Sequence, residues 1–251
     1  MTNLDACKVC EERLFMSVVD DEGAEQLVPD NLLLPCDCHF HWECLVSQAD
    51  QIVSSLQCPS CGASLAPSSG SSSSSAAAQP PILTTYVSEG GVEENLDILP
   101  VLTEESYLSA HPEARPARAL HVLAEGGDVH SAVELLHSLS DDGEEESLPA
   151  LVRYQDPLAG LKSALHIAVK ADQEGMVWLL LWLSSNLPEG VFPDESRALA
   201  EAIGLGRLPV TSADEDIRSL RDANSDTAEA LARSAGTLSQ LLQAGILTPP
   251  S

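Results

Sequence analysis

Basic residues are scarce in this chain. Twelve lysines and arginines stand against 39 aspartates and glutamates, a formal net charge of −27, and only three of the twelve are lysines: Lys8, Lys162 and Lys170. Such a balance repels the phosphate backbone of nucleic acids and anionic membrane surfaces, so neither is expected as a partner. Long hydrophobic runs are missing too. The longest, MVWLLLWL from Met176 to Leu183, is far too short to cross a bilayer and suits a buried helix. The opening MTNLDACKVC has neither an apolar core nor a basic flank and does not read as a secretory signal. A cytoplasmic or nuclear location is therefore expected, where closely spaced cysteines serve as metal ligands rather than as disulfides. The G-x-S-x-G, G-x-x-x-x-G-K and H-E-x-x-H patterns are also absent, and no catalytic residue is assigned.

Cysteine is absent after residue 61, while all seven cysteines crowd between residues 7 and 61. This composition shift marks a small N-terminal module, expected over residues 1–65. Its core material is thin, and a domain of that size usually needs a staple. Structural zinc can supply one, with apparent binding energies on the order of 10–16 kcal/mol. The cysteines fall as CKVC (Cys7, Cys10), then Cys36, Cys38 and Cys44, then CPSC (Cys58, Cys61). A C-x-x-C pair lets two thiolates reach one tetrahedral ion. Seven cysteines fall one short of two four-coordinate sites, and one histidine would complete eight. PCDCHFHWEC, residues 35–44, offers both His39 and His41.

Written as C-x2-C-x25-C-x1-C-x2-H-x2-C-x13-C-x2-C, the run resembles the RING finger family. CDCHFHWEC matches the family's central C-x-H-x-F-H-x-x-C, with Cys38 where histidine is usual and Phe40 on the signature aromatic. CPSC matches the closing C-P-x-C. The resemblance implies a small α+β zinc module with two structural zinc ions in cross-braced order. Cys7, Cys10, His41 and Cys44 would hold one; Cys36, Cys38, Cys58 and Cys61 would hold the other. His39 is then spare and expected to face solvent. The resemblance further implies a RING-type ubiquitin ligase, a transferase that positions a ubiquitin-conjugating enzyme, with Val9 and Pro59 at the docking surface. A helix is expected in ECLVSQADQIVSSL, from about Cys44. Two departures favour a non-catalytic zinc adaptor for protein–protein interaction instead. Gln48 stands where the family often has tryptophan, and Gly62 where active members carry a basic residue. PHD fingers and the RING-CH variant share the ligand order. Both use a longer gap before the histidine and a tryptophan near the final pair, where this chain has Leu56 and Gln57. Histone-tail reading is accordingly the third functional expectation.

The acidic DDEGAEQ between Cys10 and Cys36 reads as a loop with room for a short hairpin. Residues 66–113 are expected to be a flexible linker: APSSGSSSSSAAAQPP is low in complexity, and the acidic stretch after it shows no clear periodicity. Beyond it, Ala119-Leu120-His121 is echoed by Ala164-Leu165-His166, then by Ala198-Leu199-Ala200 and Thr227-Ala228. Each stretch soon meets a glycine: Gly126, Gly175, Gly204 and Gly236. SALHIAVKADQEGMVWLLL, residues 163–181, resembles the ankyrin repeat through Ser163, Leu165, His166, Ala168, Gly175, Val177 and Leu180. SDDGEEES, Ser140 to Ser147, would be an insertion between the first two repeats. An all-α ankyrin-like repeat domain is thus expected over residues 114–248, holding a protein substrate on an extended surface. His166 and His121 are expected to bond neighbouring turns rather than metal. The expected fold class is a small zinc-stabilised α+β RING module, a flexible linker and an all-α ankyrin-like repeat domain.

Overall fold

A computed structural model describes residues 6–19, 23–66, 80–141, 148–194, 197 and 206–250. Two compact units divide the chain, Met1–His111 and Pro112–Ser251. Among the described residues no helix is long and apolar enough to cross a membrane.

In the first unit the Cys10–Cys36 segment forms the antiparallel pair β1 (Phe15–Val19) and β2 (Glu25–Pro29), in the register Phe15 to Pro29 and Val19 to Glu25. A second sheet starts with β3 (Asn31–Leu33) and β4 (His39–Phe40). The expected helix is divided into α1 (Trp42–Val46) and α2 (Ala49–Ser55). The break falls at Ser47 and Gln48, where Gln48 leaves the helical conformation at φ −102° and the Ser47 hydroxyl donates to the Cys44 carbonyl.

The linker expectation is corrected after Pro81. There β5 (Leu83–Ser88) and β6 (Gly91–Asp97) form a hairpin, and α3 (Leu99–Ala110) follows. β5 pairs with β3, giving a four-stranded antiparallel sheet in the order β4-β3-β5-β6. Thr84, Thr85, Tyr86 and Val87 are β-branched or aromatic and suit a strand. Gly91, at φ +117°, opens the return strand. Asp97 joins hairpin to helix by accepting from the backbone N–H groups of Ile82 and Leu99. α3 lays Leu99 and Leu102 into the core formed by Leu32, Leu34, Phe40, Leu45, Ile52, Ile82 and Ile98. These residues complete the small core the metal module otherwise lacks. Residues 67–79, most of the Ser-rich tract, lie outside the described residues.

The second unit contains α4 (Arg115–Gly126), α5 (Val129–Asp141), α6 (Leu148–Val152), α7 (Ala164–Lys170), α8 (Glu174–Ser184), α9 (Ala228–Ala235) and α10 (Ser239–Gln243). α4 and α9 end on Gly127 and Gly236, which take the left-handed conformation at φ +70° and +74°. α8 is apolar almost all round and lies buried, as MVWLLLWL requires. α7 starts with a local polar lock. Ser163 N–H donates to His166 Nδ1 (3.3 Å), the Ser163 hydroxyl lies 2.8 Å from the same nitrogen, and His166 Nε2 donates to the Asp226 carbonyl (3.1 Å). A buried pair, Arg218 with Asp216 at 2.7 Å, also reaches the Asn186 side chain and the Thr248 carbonyl.

The expected fold class does not hold. The chain is mixed α/β, with two antiparallel sheets and ten α-helices among the described residues. Nor do its helices form an all-α ankyrin-like repeat domain. α4, α7 and α9 start at residues 115, 164 and 228, without a constant period. The short α6 and the isolated antiparallel bridge of Asp156 with Lys162 intervene between α5 and α7. The described residues from 206 to 227 carry only short 3-10 turns before α9. Similar caps and apolar spacing arise in any packed helix pair, so the ALH echo reports local helix starts rather than a repeat. Ala198-Leu199-Ala200 and Gly204 lie outside the described residues, as does most of the acidic insertion.

Candidate metal centres

The two C-x-x-C turns are built alike. Cys7 N–H donates to the Glu12 carbonyl (2.8 Å) and Glu11 N–H to the Cys7 carbonyl (3.0 Å). In the second turn Cys58 N–H donates to Ala63 (2.8 Å) and Gly62 N–H to Cys58 (2.9 Å). An isolated bridge closes each turn, Ala6 with Arg13 and Gln57 with Ser64. The residue after each second cysteine is left-handed: Glu11 at φ +63° and Gly62 at φ +71°. This turn folds each pair of thiols to one side. A tighter turn through Asp37, at φ +60°, does the same for Cys36 and Cys38, with Leu34 N–H donating to the Cys38 carbonyl (3.0 Å).

The chain then interleaves. Cys7, Cys10, His41 and Cys44 come together, and so do Cys36, Cys38, Cys58 and Cys61. Within each group one ligand atom per residue lies within 4.8 Å of the others. A tetrahedral ion with metal–sulfur bonds near 2.3 Å sets its sulfurs about 3.8 Å apart, so both groups fit. In the first, His41 Nδ1 is 3.2 Å from Cys10 Sγ and 3.8 Å from Cys44 Sγ. His41 Nε2 lies 2.8 Å from the Arg13 carbonyl, which takes that proton and leaves Nδ1 as the lone-pair donor. Each group is thus able to hold a metal ion.

The electrostatics point the same way. Burial opposes ionisation of Cys7, but N–H groups of Cys10, His41 and Val9 outweigh it and bring the thiol down to about 7. Cys61, fully exposed, also falls to about 7, chiefly through its bond from Ala63. The other resolved shifts run upward: burial and then neighbouring thiols raise Cys38 to about 11 and Cys44 to about 12, and raise Cys36 further. Thiolates packed this closely repel one another, and a divalent cation among them removes the obstacle.

His39 belongs to neither group. It is half-buried rather than fully facing solvent, with Nδ1 2.8 Å from Asn31 Oδ1 across β3 and β4. Val9 is 42% exposed in the first C-x-x-C turn, and Pro59 is half-buried in the second. Ligand counting misses Asp30. This buried carboxylate accepts from the Trp42 N–H (3.1 Å) and the Tyr86 hydroxyl (3.1 Å), while the Trp42 and Tyr86 rings pack 5.1 Å apart. Asp30 therefore fixes the chain directly after His41 and ties it to β5. No sequence signal marks it, because Tyr86 lies far along the chain.

No family model matches this chain, and neither curated proteins nor solved structures give a match.

Proposed function

We propose that the first unit is a RING-like zinc module that positions a ubiquitin-conjugating enzyme. One observation carries the reading: two four-donor groups, interleaved along the chain, flank turns that present Val9 and Pro59. The donors are thiolates and one imidazole, a set that suits tetrahedral zinc. Zinc bound by four protein donors has no open position for water, so its contribution is structural. Acceleration then comes from orienting the partner's thioester toward a substrate lysine. Val9 and Pro59 are the contact residues, and Asp30 holds the His41–Trp42 corner. A ubiquitin-discharge assay with the zinc-loaded chain and a panel of conjugating enzymes tests the proposal. Accelerated discharge by at least one enzyme, lost in Val9→Glu, is expected; no acceleration by any of them sinks it.

A second reading, a non-catalytic adaptor, is favoured by Gly62. Its φ of +71° disfavours any L side chain. Glycine suits that conformation but offers a partner no cation, whereas Glu11 carries a side chain at the equivalent position of the first turn. In this reading the module binds its partner without any discharge.

A further inference from the structure

The β1–β2 hairpin has an apolar face that the described structure leaves uncovered. Phe15, Val19 and Leu27 share one side of the ladder, because Ser17 pairs with Leu27 and side chains alternate along each strand. They are 52%, 61% and 75% exposed. On the opposite side Val18 and Val28 are half-buried, while Met16 is 46% exposed. A two-stranded hairpin is marginal in water unless a sheet or helix covers it. Single exposed apolar residues are ordinary, but three on one small face of a hairpin mark a binding surface.

Charge selects the occupant. Lys8 and Arg13 are the only basic residues of the first 111, whereas Glu11 and Glu12 precede the hairpin and Glu25 lies on the same face as Leu27. A second copy would bring another strongly acidic unit against this one, and like charges at an interface are costly. We infer that the outer face of β1–β2 docks a basic protein segment, in which apolar side chains meet Phe15, Val19 and Leu27 while a lysine or arginine meets Glu25.

The test uses the full zinc-loaded chain and two fluorescein-labelled peptides, six Arg-Val repeats and six Glu-Val repeats, read by fluorescence anisotropy. The basic peptide should bind, weaken as salt rises, and lose about tenfold or more in affinity in Leu27→Ser and in Phe15→Ser. These substitutions leave the charge unchanged, so general attraction to an acidic protein cannot produce the loss. Glu25→Gln with Glu11→Gln and Glu12→Gln provides an independent variant and should flatten the salt dependence. Equal binding of the basic peptide to wild type and Leu27→Ser overturns the inference, as does equal binding of the two peptides. Sedimentation supplies the remaining outcome: a wild-type dimer that Leu27→Ser separates would assign the face to a second copy and overturn the basic partner.

Discussion

In the first unit three of the buried side chains in the apolar core are themselves candidate metal ligands, Cys7, Cys38 and Cys58. In the second, α8 threads a continuous core from Leu120 through Leu165, Val177 and Leu180 to Leu247, with no sulfur ligand in it. The second unit handles its buried charge with the Arg218–Asp216 and Arg118–Asp156 pairs. One half of the chain threads two sets of candidate metal donors through its core, and the other rests on packing alone.

Stripping the metal should separate the two halves most sharply. With binding energies on the order of 10–16 kcal/mol at stake, a strong chelator should unfold the first unit and leave the second folded. Trp42 lies in the first unit and Trp178 and Trp182 in the second, so Trp42→Phe lets fluorescence follow the second alone. Loss of both units together would break the comparison. Metal analysis sharpens it within the module: two ions per chain are expected, one fewer in Cys58→Ser or His41→Ala, and no change in His39→Ala.

Next in size is the buried ion pair of the second unit. Asp216→Ala leaves the Arg218 guanidinium, buried in the core, without its carboxylate and should cost about 3–5 kcal/mol in denaturant unfolding. Metal content should not change.

The pH response follows. Burial holds the His121 imidazole down to about 4, and burial also lowers His166. Unfolded histidine titrates near 6.5, so the unfolded chain takes up the proton first as pH falls. For His121 the stabilisation is whole above about pH 6.5 and declines toward pH 4, by about 3 kcal/mol in all. His121→Leu should flatten that slope in the Trp42→Phe background, and an unchanged slope would show that His121 is not its source.

The smallest effect concerns the joint between the metal module and the added strands. Tyr86→Phe removes the hydrogen bond to Asp30 and should cost about 1.5 kcal/mol, with both ions retained.

The candidate centres were legible because C-x-x-C spacing is a local property: the turn that gathers two thiols lies within a few residues of them. The added strands were not. β6 carries Glu93, Glu94 and Asn95 on exposed positions of an edge strand, residues that strands generally disfavour, so it reads as a loop. The ThrThrTyrVal run of β5 was a usable signal, hidden by the low-complexity tract before it. In the second unit α7 and α8 were legible from apolar spacing and the Ser163 cap. The repeat expectation fails because alike helix starts do not imply alike spacing between them. Asp30 and Tyr86 stayed invisible, since a contact across so many residues leaves no local pattern.

The interleaving of the ligands also orders events on the ribosome. Cys7 and Cys10 have nothing to complete their group until His41 and Cys44 emerge, and the second group is complete only later, when Cys58 and Cys61 follow Cys36 and Cys38. At roughly 5–20 residues per second the nascent chain spends seconds as a set of unmatched thiols. Only then does β5 arrive to close the sheet against β3. A newborn chain short of metal would stall at the first of these steps, before the segment that completes its core has been made.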